Sequence, residues 1–315
     1  MPRNRKLFIN KTVLFITTRT LEGLPFIPSP VWNTTLWSIL AKAQQTHPVK
    51  VCHFVFMANH LHMLVVVEDP ENIPKFMAWV KRESAYAVNA MAGIKKRNVW
   101  EEGYDSPVLG TPDDVIERIA YIYLNPVRAH QCDRVDSFKG VWSWGLFANN
   151  DVEIECRDLR RSTYPSKDAL LENSELADEI TFHLKSDAWY ECFGISCEKE
   201  IEQMNNQIIK MINDIEDQIR KEGSFQRHRE MLKNKREKWD KEYRPKKYGK
   251  RSLIICSNKN KKIAYLDFYR RKSQLAKKSF DDFDPGGDLA SLIIPGMFFP
   301  GMMLLSNVFP SGLVF

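Results

Sequence analysis

Apolar residues in the first half of the chain repeat with two different periods, one typical of strands and one typical of helices. Short runs rich in β-branched and aromatic residues predict strands at 11–20, 49–57 and 60–68. Only Ala58 and Asn59 separate the run at 49–57 from the run at 60–68. This spacing predicts a tight hairpin, so we expect these two strands to be antiparallel.

Longer segments have apolar residues at helical spacing, and they predict helices at 28–47, 69–93 and 111–127. The last of these begins with Thr111 as a cap and has Asp113 and Asp114 in its first turn, where acidic side chains suit the helix dipole. A short extended segment at 104–110 precedes it. The order strand, helix, hairpin, helix, strand predicts an α+β fold, a ferredoxin-like split β-α-β antiparallel sheet with its helices on one face.

The character of the sequence changes near residue 150, and we therefore predict a domain at 1–150 and a mostly helical, basic extension at 151–315. Residues 198–222 carry Ile and Met at helical spacing, a stripe that suits either packing within the chain or self-association. The net charge is +6, and the segment from Lys221 to Arg251 alone holds thirteen basic and five acidic residues. Such a segment suits a phosphate-rich partner, although a solvated helix face is an equal alternative.

The segment from Leu289 to Phe315 is apolar and contains no charged residue. Pro and Gly residues would interrupt a spanning helix repeatedly, so we expect an extended tail packed on the body rather than a membrane segment. The six cysteines include no C-x-x-C pair, which argues against a zinc site or a disulfide framework and favours a reducing compartment. We expect a cytoplasmic protein, because the N-terminus also lacks the apolar region of a secretory signal.

Two histidines stand two residues apart at the start of the third predicted strand, in the sequence His60-Leu61-His62. Side chains of a strand alternate between faces, so His60 and His62 point the same way, roughly 7 Å apart, while Leu61 enters the core. This arrangement suits two imidazoles that share one metal ion. Either histidine alone is more often structural.

A tyrosine and an asparagine share one stripe of the helix at 111–127. Tyr121 and Asn125 are four residues apart and project together, whereas Tyr123 is turned away and is expected in the core. A tyrosine hydroxyl is a poor nucleophile, but it becomes useful next to a phosphorus whose oxygens are polarised by a divalent ion. The amide oxygen of Asn125 could complete the coordination of that ion.

The His-Leu-His sequence together with "YIYLNPVRA" (121–129) resembles the HUH endonucleases, and is most similar to their single-tyrosine transposases, which include the REP-associated tyrosine transposases. The resemblance covers roughly residues 10–150. It implies a metal-dependent transposase that nicks and rejoins single-stranded DNA at hairpin or palindromic ends and forms a 5′-phosphotyrosine. By position, Tyr121 matches the nucleophile, and His60, His62 and Asn125 match the ligands of Mg²⁺ or Mn²⁺. After Ala129 the sequence departs from the family pattern, outside the chemistry.

DNA binding needs basic and stacking surfaces, and we predict contacts from Lys81, Arg82 and Arg128. Three hypotheses stay open: an active transposase, a domesticated relative that acts on chromosomal repeats, and a catalytically silent nucleic-acid-binding protein on a ferredoxin-like scaffold. Loss of a histidine or of Tyr121 would have favoured the third. The sequence also allows a homodimer. We expect the protein to be associated with the nucleoid when it is bound to DNA.

Overall fold

The computed structural model of the chain describes residues 6–26, 29–149, 152–159, 178–223, 252–282 and 296–298, and all structural statements below concern these residues. Their strands are β1 (Lys6–Leu7), β2 (Val13–Arg19), β3 (Lys50–Phe56), β4 (His60–Val66), β5 (Val108–Leu109), β6 (Glu153–Arg157), β7 (Glu179–His183), β8 (Ile254–Ile255) and β9 (Met297–Phe298). Their α-helices are α1 (Pro30–Thr46), α2 (Asn72–Met91), α3 (Pro112–Arg128), α4 (Trp144–Ala148), α5 (Ala188–Glu191), α6 (Glu198–Lys221) and α7 (Lys259–Asp281). Single 3₁₀ turns occur at Leu21–Gly23 and Val135–Ser137.

A five-stranded sheet in the order β3-β4-β2-β5-β8 forms the centre of the fold. Both neighbours of β4 are antiparallel to it, as the hairpin predicted, and β8 pairs in parallel with β5. Every residue of β4 after His60 is buried, because helices cover both faces of this central strand. The strands and helices predicted for the first half of the chain are present, and the α+β class is confirmed.

The distribution of the helices differs in one detail from the prediction that all of them lie on one face. Phe54 of β3 contacts Trp37 of α1, and α1 packs against α2. The next side chain along the strand, His53, contacts Tyr123 of α3. Consecutive strand residues point to opposite faces. The sheet is therefore covered by α1 and α2 on one face and by α3 on the other.

Segments from beyond residue 150 pack against the first half of the chain. Strand β8 forms one edge of the central sheet, and β9 pairs with β1. Helix α6 lies against α3 and buries Ile208 and Ile212, so part of its apolar stripe packs within the chain. Gly110 permits the approach of β8, because a Cβ atom there would collide with the Cys256 side chain. The boundary near residue 150 stays a prediction.

Two predicted features fall mainly outside the described residues: most of the basic segment at 221–251 and most of the apolar tail. Among the helices that the structure describes, none has the length and apolarity needed to cross a membrane. All six cysteines are described, and each is a free thiol.

Candidate active site

The paired histidines lie on the α3 side of the central strand. His60 and His62 project from β4 on one face with their ring centroids 4.7 Å apart, while Leu61 between them is fully buried on the opposite face. Thr17 of β2 and Val55 of β3 are the register partners of His62. Strands on both sides therefore hold this part of β4, and the orientation follows from the two-residue period of the strand.

Each imidazole is oriented by a hydrogen bond at its Nδ1 atom. His60 Nδ1 lies 2.7 Å from Asn59 Oδ1, and His62 Nδ1 lies 2.9 Å from Thr17 Oγ1. An amide oxygen only accepts, so His60 donates through Nδ1 and its Nε2 carries the free lone pair. His62 Nε2 is buried and has no hydrogen-bond partner. Both rings thus have a contact at Nδ1 that holds their orientation, as is typical of metal-binding histidines.

Burial keeps both imidazoles neutral near pH 7. It lowers the pKa of His60 to about 4, with the nearby Arg19 cation acting in the same direction and a hydrogen bond with Asn125 opposing both. Burial also holds the pKa of His62 well below its ordinary value, helped by His60 and by the cations of Arg19 and Arg118. The neutral imidazole is the form that binds a metal ion.

Helix α3 brings Tyr121 and Asn125 to the same place. The helix begins at the predicted cap, where Thr111 Oγ1 accepts from the Asp114 backbone NH. One face then carries the half-buried Tyr121, whose ring lies 5.1 Å from the His62 ring, edge to face. One turn later the Asn125 side chain lies close enough to His60 to raise the pKa of that imidazole. The four residues named from the sequence therefore meet in one cluster.

Tyr123 faces a different environment from Tyr121. It is fully buried, and its hydroxyl lies 2.7 Å from His53 Nδ1 and 2.9 Å from Ser143 Oγ. Burial raises the pKa of Tyr123 far above its ordinary value. The expectation that Tyr123 belongs to the core holds, and its hydroxyl is a structural hydrogen-bonding group.

The N-terminal end of α3 is tied to the C-terminal part of the chain. The buried Asp114 carboxylate accepts from Thr111 Oγ1 at 2.5 Å through one oxygen and from the Ser257 backbone NH at 2.9 Å through the other. Thr111 Oγ1 also lies 3.1 Å from Ser257 Oγ. The sequence showed Asp114 only as a helix-dipole residue, because its partner is distant in the chain.

The residues predicted to contact DNA differ in their surroundings. Lys81 Nζ donates to the carbonyl oxygens of Glu101 and Gly103, at 2.7 and 2.6 Å, and so holds a loop. Arg82 is exposed and ion-paired with Glu83 at 2.9 Å. Arg128 is exposed at the end of α3, one turn from Asn125. DNA contact by these three side chains stays a prediction.

Sequence reasoning missed a cavity of about 290 Å³ beside Tyr121. Its wall includes Phe15, His62 and Tyr121, with Arg19 and Arg118 as the basic residues. Helical spacing alone places Arg118 one turn before Tyr121, and this was the available signal. The contribution of Phe15 could not be found in that way, because it depends on the packing of α3 across β2.

The donor set fits a divalent ion with open coordination positions. Two neutral imidazoles lie next to each other with Asn125 close to one of them, and the buried Nε2 of His62 has no hydrogen-bond partner. In the described part of the chain, no group of three His, Cys, Asp or Glu side chains could hold a metal. A site here would depend on the Asn125 amide as its third ligand.

A family model supports the motif resemblance. Residues 26–123 match the family model described as "Transposase IS200 like", a stretch shorter than half the chain that includes His60, His62 and Tyr121. Among solved structures, the chain is similar to a REP-associated tyrosine transposase bound to a REP hairpin, with 17% identity over 47% of this chain and 86% of that one, and a TM-score of 0.41. No curated protein sequence matches significantly. The resemblance predicted from the sequence is supported by the family model over residues 26–123.

Proposed function

We propose that this chain, whose residues 26–123 match the IS200-like transposase family model, cuts and rejoins single-stranded DNA through a covalent bond to Tyr121. One observation carries the proposal. The Tyr121 ring lies 5.1 Å from the His62 ring, on the side of the sheet where both imidazoles and Asn125 converge. A phosphate held there would lie within reach of the phenol oxygen.

The proposed reaction is a transesterification. The Tyr121 oxygen attacks the scissile phosphorus, the phenol proton leaves, and the P–O3′ bond breaks as O3′ takes up a proton. The products are a 5′-phosphotyrosine and a free 3′-hydroxyl. A 3′-hydroxyl attacks the phosphotyrosine in the reverse step, so strands are rejoined without ATP. One nucleophile is sufficient, in agreement with the burial of Tyr123.

His60, His62 and Asn125 would hold a divalent ion, which supplies Lewis-acid polarisation of the phosphate oxygens. Asn59 and Thr17 keep the imidazoles in one orientation, so ion binding requires little rearrangement. Mg²⁺ prefers all-oxygen ligands, whereas Mn²⁺ accepts imidazole more readily, and we propose that either ion functions.

The substrate that we propose is single-stranded DNA with hairpin or palindromic ends, as the His-Leu-His and Asn-Pro-Val-Arg-Ala motifs imply. Lys81, Arg82 and Arg128 are the candidate backbone contacts, and Arg128 is the one nearest to Asn125 in sequence. We propose action in the cytoplasm at the nucleoid, and a homodimer is compatible with the proposal.

The experiment combines the purified chain, Mn²⁺ and a pool of labelled single strands that carry hairpins. We expect a labelled protein band that survives SDS, disappears with EDTA and is absent for Tyr121→Phe. Tyr123→Phe is the matched control, and we expect it to retain the band. Strand binding without any such band would instead support a catalytically silent nucleic-acid-binding protein.

A further inference from the structure

The cavity beside Tyr121 contains an arginine that the metal and tyrosine motifs do not use. Arg118 lies one turn before Tyr121 on α3, and residues three apart share a helix face. Its guanidinium carbon is 5.7 Å from the ring centroid of Tyr121 and 5.7 Å from that of Phe15. The guanidinium therefore lies beside two aromatic rings that contact each other, at the edge of the candidate active site.

One buried polar atom of Arg118 is not satisfied by the surrounding protein. Its Nε atom is buried and has no hydrogen-bond partner. Within the described residues, no carboxylate forms an ion pair with it, although Glu101, Glu102 and Asp105 line the same cavity. A buried donor without a partner costs free energy, so its retention needs an explanation.

A phosphate would satisfy this arginine. A guanidinium presents a planar fork of N–H donors that matches two phosphate oxygens. Arg118, His62 and Tyr121 line the same cavity. A single phosphate close to His62 and Tyr121 would therefore lie near Arg118 as well.

We propose that Arg118 binds the non-bridging oxygens of the scissile phosphate, and this inference rests on the proposed function. Its planar fork orients the phosphorus toward the Tyr121 oxygen and stabilises the charge that develops during attack.

The test compares Arg118→Met, which keeps an unbranched side chain beside the rings, with Arg118→Lys, which keeps the charge without the fork. Arg220→Met is the matched control, because Arg220 is exposed on α6 and pairs only locally with Asp217. For each variant, single-turnover adduct formation is measured with Mn²⁺ and a saturating hairpin-bearing strand that the wild type cleaves. Mn²⁺ affinity and melting temperature are measured in parallel.

We expect Arg118→Met to slow adduct formation by about 100-fold or more, in the range seen when one donor to a developing oxyanion is removed. Arg118→Lys should be intermediate and Arg220→Met unchanged, with Mn²⁺ affinity within a factor of about three for all, because Arg118 is not a ligand. Equal rates for the wild type and both Arg118 variants would overturn the proposal. If Arg118→Met does not fold, the rate of Arg118→Lys relative to the wild type decides the test.

A substrate change separates phosphate binding from packing. A methylphosphonate at the mapped cleavage position removes the charge from one non-bridging oxygen. It should slow the wild type strongly and Arg118→Met much less, because the variant has already lost the interacting cation. An equal slowing of both proteins would mean that Arg118 acts only through packing. Absence of an adduct with the wild-type protein would refute the proposed function itself, an outcome distinct from both.

Discussion

The buried His53 makes the stability of the domain sensitive to mild acid. Its ring lies between Tyr123 and Phe147, with centroids 5.5 and 4.8 Å away, and it is fully buried. Burial lowers its pKa to about 3, and a hydrogen bond with the Ser186 backbone opposes this only in part. The unfolded chain has an ordinary histidine pKa near 6.5. Between these values the unfolded state binds more protons than the folded state.

These two pKa values fix the direction in which stability changes with pH. The contribution of neutral His53 to the unfolding free energy is fully present above the unfolded pKa and is lost as the pH falls toward the folded pKa. Proton linkage gives a loss of about 2 kcal/mol from this one residue between pH 7 and pH 5. His60 and His62 add to the total in the metal-free protein, because burial lowers their pKa values as well. The contribution of His53 must therefore be isolated by difference.

The assay is urea unfolding at pH 7 and at pH 5, in EDTA, of the wild type and His53→Leu. Leucine keeps much of the buried volume and does not titrate, and the Tyr123 hydroxyl retains Ser143 as a partner. We expect the wild type to lose about 2 kcal/mol more than the variant between the two pH values. Equal losses would refute the reasoning that His53 is held neutral by burial.

Three further predictions concern the same face of the sheet. Tyr123→Phe should lower the unfolding free energy by about 1–2 kcal/mol through the loss of its buried hydroxyl contacts, while adduct formation continues, as urea titration and gel assay would show. Mn²⁺ at 100 times its Kd should stabilise the wild type by about 2.7 kcal/mol in thermal unfolding and should not stabilise a His60→Ala, His62→Ala double variant. Asp114→Ala should cost about 1–3 kcal/mol in urea unfolding, because it leaves the buried end of α3 without its link to Ser257. A variant as stable as the wild type would show that this link contributes nothing.

Much of the site was predictable because it depends on two simple periodicities. The two-residue period of a strand places His60 and His62 on one face, and the helical period places Tyr121 and Asn125 on one stripe. The same helical period predicts that Tyr123 points away from Tyr121. The family model spans the first three of the site residues but ends at position 123, before Asn125.

What was missed depends on contacts between distant segments. An apolar stripe shows that a helix packs on a sheet, but it does not say which face, so α3 was expected beside α1 and α2. Strand β8 has only two residues, too few for a pattern, yet it completes the sheet beside β5. The position of Arg118 depends on its contact with the ring of Phe15, which lies on the distant strand β2.

The most direct test of the central claim is to locate the covalent bond. Adduct formed with Mn²⁺ and a hairpin-bearing strand would be digested with nuclease and trypsin and analysed by tandem mass spectrometry. Cleavage after Arg118 and Arg128 yields one peptide, 119–128, that contains both tyrosines. We predict a nucleotide phosphate on Tyr121 alone. Its presence on Tyr123, or on a residue outside this peptide, would contradict the account.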